Sequence, residues 1–189
     1  MDIQELAQDI PVEGEYSLEG IDFITSGEQY LTFALKDEQY GVDILCVEEI
    51  RSWENPTKIP NAPSYVGGVI NMRGIIVPIV DLRLKFNIGE AVYTDITVVI
   101  VLTLETEGIS RTIGFVVDAV SDVLNAEENE IKKSPAFGGC VPQHYIDGLV
   151  NVGDNVVTLL NVAALQQIEA HQNNQYLLNN SSNSNNPNK

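Results

Sequence analysis

Apolar and polar residues alternate through Gln29-Tyr-Leu-Thr-Phe-Ala-Leu35, which predicts a strand, and Lys36-Asp-Glu-Gln follows as a charged turn. Tyr40-Gly-Val-Asp-Ile44 begins the return strand, which the apolar pattern extends through Leu45 to Ile50. Pro56, Pro60 and Pro63 exclude helix between Trp53 and Pro63 and predict a loop. Next, Val69-Ile70 and Ile75-Ile76-Val77 flank Asn71-Met72-Arg73-Gly74, with Ile79-Val80 after Pro78. Asn and Gly at the centre supply the positive-φ backbone of a tight hairpin turn. Its tip carries Met72 and Arg73, where turns usually hold small polar residues. Leu82 to Gly89 is a short amphipathic segment, one or two helical turns ended by Gly. Thr97 to Leu104 is a continuous β-branched run, a buried strand, and Thr112 to Asp118 returns from it. Val120–Asn125 leads through Ala126–Lys133 to a Pro/Gly loop, Ser134–Pro142. Beyond it, Asn161 is a helix cap before apolar residues spaced helically at Val162, Leu165 and Ile168.

The hairpin stretch Tyr65–Arg83 recurs 80 residues later without a gap, as Tyr145–Val162. Tyr65 aligns with Tyr145, Gly68 with Gly148, Asn71 with Asn151 and Leu82 with Val162. Upstream, Gly41–Ile50 matches Gly114–Val123. Two copies of one motif series predict two similar small units packed together. Short strands with frequent turns and little helix predict an all-β fold of two small barrels side by side. The expected layout is an acidic disordered arm over 1–27, a body over 28–170 and an Asn-rich disordered tail over 171–189. Within the body, a first barrel mainly over 28–95 precedes a second mainly over 96–165. The offset repeats allow strands to be exchanged between them. The copies differ in charge: Arg73 faces Gly153, and Glu48-Glu49 face Ser121-Asp122.

Net charge is -17, which argues against nucleic acid as a partner, because phosphate binding rests on clustered Lys and Arg. Residues 1–27 hold seven acids and no base, while residues 28–165 hold 19 acids and nine bases. No run of 18 apolar residues and no secretory leader pattern occurs, so the expectation is a cytoplasmic protein without direct membrane insertion. Cys46 and Cys140 are unclustered, which fits structural roles in a reducing compartment.

Catalysis finds little support. His144 and His171 lack metal-ligand spacing to Cys or Asp, and no nucleophile elbow, phosphate loop or dinucleotide fingerprint occurs. The expectation is a protein without enzymatic activity, cofactor or metal. Apolar and charged residues on turns and strand edges point to a binding module. A β-barrel ligand-binding module would need an aromatic platform, yet only 7% of residues are aromatic. A hydrolase would need a pocket of convergent polar groups.

Four stretches together resemble the CheW family of chemotaxis coupling proteins. They are Tyr40-Gly-Val-Asp-Ile-Leu-x-Val-x-Glu-Ile-Arg51, Gly68-Val-Ile-Asn-x-Arg-Gly-Ile-Ile-Val-Pro-Ile-Val-Asp-Leu-Arg83, Thr97-Val-Val-Ile-Val101 and Gly114-Phe-Val-Val-Asp-x-Val-Ser-Asp-Val-Leu124. The match spans about residues 28–168. It implies two five-stranded SH3-like barrels around a shared hydrophobic core. It also implies an adaptor that joins methyl-accepting chemoreceptor tips to the regulatory domain of the histidine kinase CheA in signalling arrays, with other CheW copies as further partners in rings. By motif, Glu49 and Arg73 fall where the family has a charged pair beside the receptor groove. Val47, Val98, Val99, Ile113 and Val123 fall on positions of its apolar lining. Lys132 and Phe137 match one kinase-facing region, and Gly67, Gly68, Tyr93 and Asp95 the other. A coupling protein of another chemosensory pathway, such as surface motility, would carry the same motifs.

Overall fold

The computed structural model describes residues 27–135 and 139–166. The acidic arm, Phe137 and the Asn-rich tail lie outside the described residues. Among the described residues, ten strands and a first short helix follow in order: β1 (Glu28–Leu35), β2 (Glu38–Asp43), β3 (Val47–Ser52), β4 (Val66–Met72), β5 (Ile75–Asp81), α1 (Leu82–Lys85), β6 (Val98–Thr106), β7 (Ile109–Val117), β8 (Ala119–Ala126), β9 (Ile146–Val152) and β10 (Asn155–Leu160). Residues 162–166 are helical, and Asn161 caps them by accepting from the Ala164 N–H at 2.7 Å.

Two local readings are corrected. The apolar run from Tyr40 to Ile50 is not one strand. The chain leaves β2 at Asp43, whose carboxylate accepts from the Leu45 N–H at 2.9 Å. It then makes a 3-10 turn over Ile44–Cys46 and enters β3 in a different sheet. An Asp side chain that bonds two residues ahead offers the backbone an alternative to the ladder. The second correction concerns the first repeated hairpin. Arg73 (φ 51°) and Gly74 (φ 89°) take the two positive-φ positions between the paired residues Met72 and Ile75, a type I′ turn. Asn71 stays in β4 and accepts the Gly74 N–H on its side-chain oxygen at 2.8 Å. Met72 points inward and is buried, so the tip is Arg73 alone.

The strands form two five-stranded sheets, β8-β1-β2-β10-β9 and β3-β6-β7-β5-β4. In both, the parallel contact joins the repeats: β2 runs parallel to β10, and β7 parallel to β5. The exchange is reciprocal. The first two strands of each repeat (β1–β2, β6–β7) complete the sheet built from the last three of the other (β8–β10, β3–β5). Residues before and after 95 therefore contribute to both sheets. The repeat glycines sit at these seams. A Cβ on Gly41 would stand 3.0 Å from Leu159, and one on Gly114 would stand 2.6 Å from Ile79, the residue that aligns with Leu159. The Asp81 N–H bonds the Tyr65 carbonyl and the Asn161 N–H the Tyr145 carbonyl, each at 2.8 Å.

Alternation along the strands divides the core in three. Met72, Val77, Ile79, Val99, Val101 and Val116 fill the barrel of the second sheet. Tyr30, Ala126, Val150, Val157 and Leu159 fill that of the first. Between the barrels lies the largest cluster, which includes Phe33, Leu35, Tyr40, Ile100, Leu102, Phe115, Leu160 and Leu165. Adjacent residues such as Val99 and Ile100 serve different cores, which is why β6 reads as an unbroken apolar run. The outer edges of β4 and β9 are each covered by one bridge, Thr57 to Val69 and Lys132 to Leu149.

Candidate functional site

The type I′ turn projects Arg73 back over β3. Its Nη2 donates to Glu49 Oε2 at 2.7 Å, and Arg51 Nε lies 3.7 Å from the other oxygen of the same carboxylate. β3 and β4 are the two outer strands of their sheet, so this ion pair spans the seam where the sheet rolls towards closure. The Arg73 side chain is 76% exposed and that of Glu49 28%. A pair this open to water adds only ~0–1 kcal/mol to stability. Exposed apolar residues accompany it: Ile75 and Ile76 follow the turn in β5, and Ile50 follows Glu49. A shallow groove is lined by Leu45, Cys46, Val47, Glu48, Ile75, Thr103 and Thr112. Glu48 accepts a hydrogen bond from Thr103. Leu45 is 89% exposed, the consequence of the 3-10 turn that separates β2 from β3.

The other residues expected to line a receptor groove are dispersed. Val47 and Val98 are half-buried against the shared core. Ile113 is buried within that core, and Val99 is buried inside the second sheet's barrel. Val123 is exposed on β8, in the first sheet, opposite Leu31. Glu49 and Arg73 are thus brought into contact, with Val47 beside them in the groove lining.

Among the residues expected to face the kinase, Gly68 lies in β4 under the covering residue Thr57, and Lys132 itself covers β9. These are equivalent places in the two barrels. Gly68 has φ 139°, and a Cβ there would meet the Thr57 carbonyl oxygen at 2.2 Å. Gly67, in contrast, has an ordinary φ, and its Cβ position is 3.5 Å from Pro56. Lys132 is exposed and bonded to Leu149 through its backbone, its N–H and carbonyl both engaged. Asp95 is exposed in a turn closed by the Thr97 N–H on the Thr94 carbonyl. Tyr93 stacks on Trp53 with ring centroids 4.1 Å apart and planes 4° from parallel.

Sequence reasoning passed over the most buried ion pair among the described residues, Arg83 with Asp81. Arg83, at 3% exposure, donates from Nε and Nη2 to the two oxygens of Asp81 at 3.0 and 2.7 Å. Its Nη1 reaches both the Val92 carbonyl and Asp118 Oδ1 at 2.6 Å. The second oxygen of Asp118 accepts from the Lys36 N–H, and the Tyr93 hydroxyl donates to Asp81. Burial opposes the Arg83 charge, but the hydrogen bonds and charge of Asp81, then of Asp118, hold its pKa above the ordinary arginine value. Burial, and next the Asp81 charge, push the Tyr93 hydroxyl up. A signal for this cluster existed in the repeat. Arg83 aligns with Ala163 and Asp81 with Asn161, the same one-sided charge that marks Arg73 against Gly153.

Among the described residues, no group of three or more His, Cys, Asp or Glu side chains is arranged to hold a metal ion. An open cleft of about 510 Å³ between β2, β10, residues 134–135 and residues 139–143 is lined by Asp37, Glu38, Tyr40, Cys140 and Asp154 among others. Among the described residues, no helix is long and apolar enough to cross a membrane.

Comparison with known proteins places these features in context. The family model described as a CheW-like domain matches residues 29–169. A chemotaxis protein CheW from Klebsiella aerogenes is 41% identical over 145 residues, covering 77% of this chain and 85% of the relative. One from Rhizobium meliloti is 34% identical, covering 71% and 84%. Among solved structures, the scaffolding protein TtCheW from Thermoanaerobacter tengcongensis aligns with a TM-score of 0.65 at 30% identity, covering 72% of this chain and 85% of that one.

Proposed function

The chain belongs to the CheW family, non-enzymatic coupling scaffolds of chemotaxis, and on that premise we propose that it joins chemoreceptor tips to the histidine kinase CheA through two separate surfaces. The receptor surface is centred on the Arg73–Glu49 pair, flanked by Val47 and the exposed side chains of Leu45, Ile75 and Ile76. Val98, Val99 and Ile113 pack into the cores and serve the scaffold, not the contact. Val123, exposed on β8 in the other sheet, is a separate receptor-facing candidate. Kinase contacts use the covered edges of the two barrels, with Gly67 and Gly68 on one and Lys132 on the other, together with the Tyr93–Asp95 loop and, by motif alone, Phe137. Such an adaptor works in the cytoplasm, at membrane-bound receptor arrays, and contacts further copies of its own family in rings.

The observation that carries this reading is the exposed ion pair at the barrel seam. It contributes little to stability, and rim charges of this kind set orientation and partner choice. Receptor-stimulated kinase activity in a reconstituted mixture tests it. Arg73→Glu is expected to lower stimulation by about tenfold while stability changes by less than about 1 kcal/mol. Adding Glu49→Arg is expected to recover part of the loss. Full stimulation by Arg73→Glu alone would remove the pair from the receptor surface.

A further inference from the structure

We infer that Arg83 is a positioning residue, one that fixes the Tyr93–Asp95 loop against the junction of the two sheets while taking no part in partner contact itself. The inference rests on the reading of that loop as kinase-facing. Arg83 lies at the start of α1, where four parts of the chain meet. Through Asp81 it is tied to the end of β5. Through Asp118 it is tied to the connection between β7 and β8, where the chain crosses from one sheet to the other. The same Asp118 reaches the first sheet twice: Oδ2 accepts from the Lys36 N–H at 2.6 Å, and the Asp118 N–H donates to the Ala34 carbonyl at 3.1 Å. The fourth part is the loop. The Val92 carbonyl accepts from Nη1, the guanidinium carbon sits 5.1 Å from the Tyr93 ring centroid, and the Tyr93 hydroxyl bonds Asp81 at 3.2 Å.

The remaining loop contacts are few. The Tyr93 ring stacks on Trp53, three hydrogen bonds between Thr94 and Thr97 close the 94–97 turn, and the Trp53 N–H donates to the Thr97 carbonyl at 3.1 Å. Val92 and Ile96 are largely in solvent, and Tyr93 is partly so. A loop with so little apolar burial needs an external clamp to present a fixed face. A planar guanidinium carries five N–H donors in a fixed fork, enough for both Asp81 oxygens, Asp118 and the Val92 carbonyl, whereas an ammonium has three donors for these four acceptors. That geometry explains an arginine at a site buried from every partner.

Trp53 is the chain's only tryptophan, so its fluorescence reports the Tyr93 stack directly. The test compares the full native chain with Arg83→Lys and with the paired change Arg83→Met, Asp81→Leu. The paired change removes both deeply buried charges, so it keeps the test open if lysine does not fold. The expected result for a folded variant is acrylamide quenching of Trp53 raised about twofold and affinity for the full-length cognate kinase lowered at least about fivefold, with binding to receptor-bearing membranes within about twofold of native. A merely structural role would weaken both partners alike. Unchanged quenching together with native kinase affinity, or equal losses for both partners, would overturn the assignment. Asp95→Lys in the native background tests the loop itself. If that change leaves kinase affinity untouched, the kinase-facing reading fails, and Trp53 quenching alone then decides whether Arg83 holds the loop.

Discussion

Gly68 is marked twice, as a kinase-facing candidate by motif and as a steric necessity by geometry. With φ 139° and the Thr57 carbonyl 2.2 Å from a would-be Cβ, any side chain must displace backbone that covers the β4 edge. Gly68→Ala is therefore expected to destabilise the fold by about 2–3 kcal/mol in a denaturant melt, whereas Gly67→Ala shifts it by less than about 0.5 kcal/mol. Equal effects of the two changes would show that the covering strand yields freely. The comparison also sorts function from structure: a loss of kinase binding in Gly67→Ala, with stability intact, marks a contact. At this scale the sequence was legible where an unusual residue stood in an unusual place, as with Arg73 in a turn. It was less so where a charge stood among apolar neighbours. Arg83 between Leu82 and Leu84 looks like one polar position of an amphipathic turn, and only the fold shows that Asp81 and Asp118 enclose it. Removing one partner of such a buried pair costs about 3–5 kcal/mol, much of it the penalty of the charge left unpaired, against ~0–1 kcal/mol for the exposed Arg73–Glu49 pair.

The strands could be read from alternation and turn chemistry, which depend on near neighbours, and the repeat from matching residues 80 positions apart. Sheet membership could not. The apolar run Ile44-Leu45-Cys46 is compatible with a continuing strand, and what interrupts it is a local side-chain bond from Asp43. Once β2 and β3 part, each repeat hands its first hairpin to the other, and Gly41 and Gly114 let the incoming strand lie against Leu159 and Ile79. We propose that the body, residues 28–166, folds as one cooperative unit without the arm or the tail. Each half alone would leave β1–β2 or β6–β7 without the strands they pair with, and the shared core half-built. Fragments 28–95 and 96–166 are thus expected to be unfolded separately by circular dichroism and to regain β structure when mixed, while 28–166 melts in a single transition. A folded, monomeric fragment 28–95 would contradict the exchange as an energetic necessity.

At the scale of the whole molecule, three cores join the two sheets, and the positions proposed for the two partners are spread over both. Arg73 and Glu49 close the seam of the second sheet, Lys132 covers the far edge of the first, and the Arg83 cluster joins the sheets between them. A coupling protein needs that separation, because both partners must bind at once with a fixed angle between them. The most direct measurement is sedimentation of full-length cognate kinase with receptor-bearing membranes, with and without this chain at micromolar concentration. Kinase is expected in the pellet in proportion to added chain, up to a 1:1 ratio, and Arg73→Glu is expected to reduce chain and kinase in the pellet together. Kinase that reaches the membranes equally well without the chain, or a chain that kinase displaces from the receptors, would contradict simultaneous coupling.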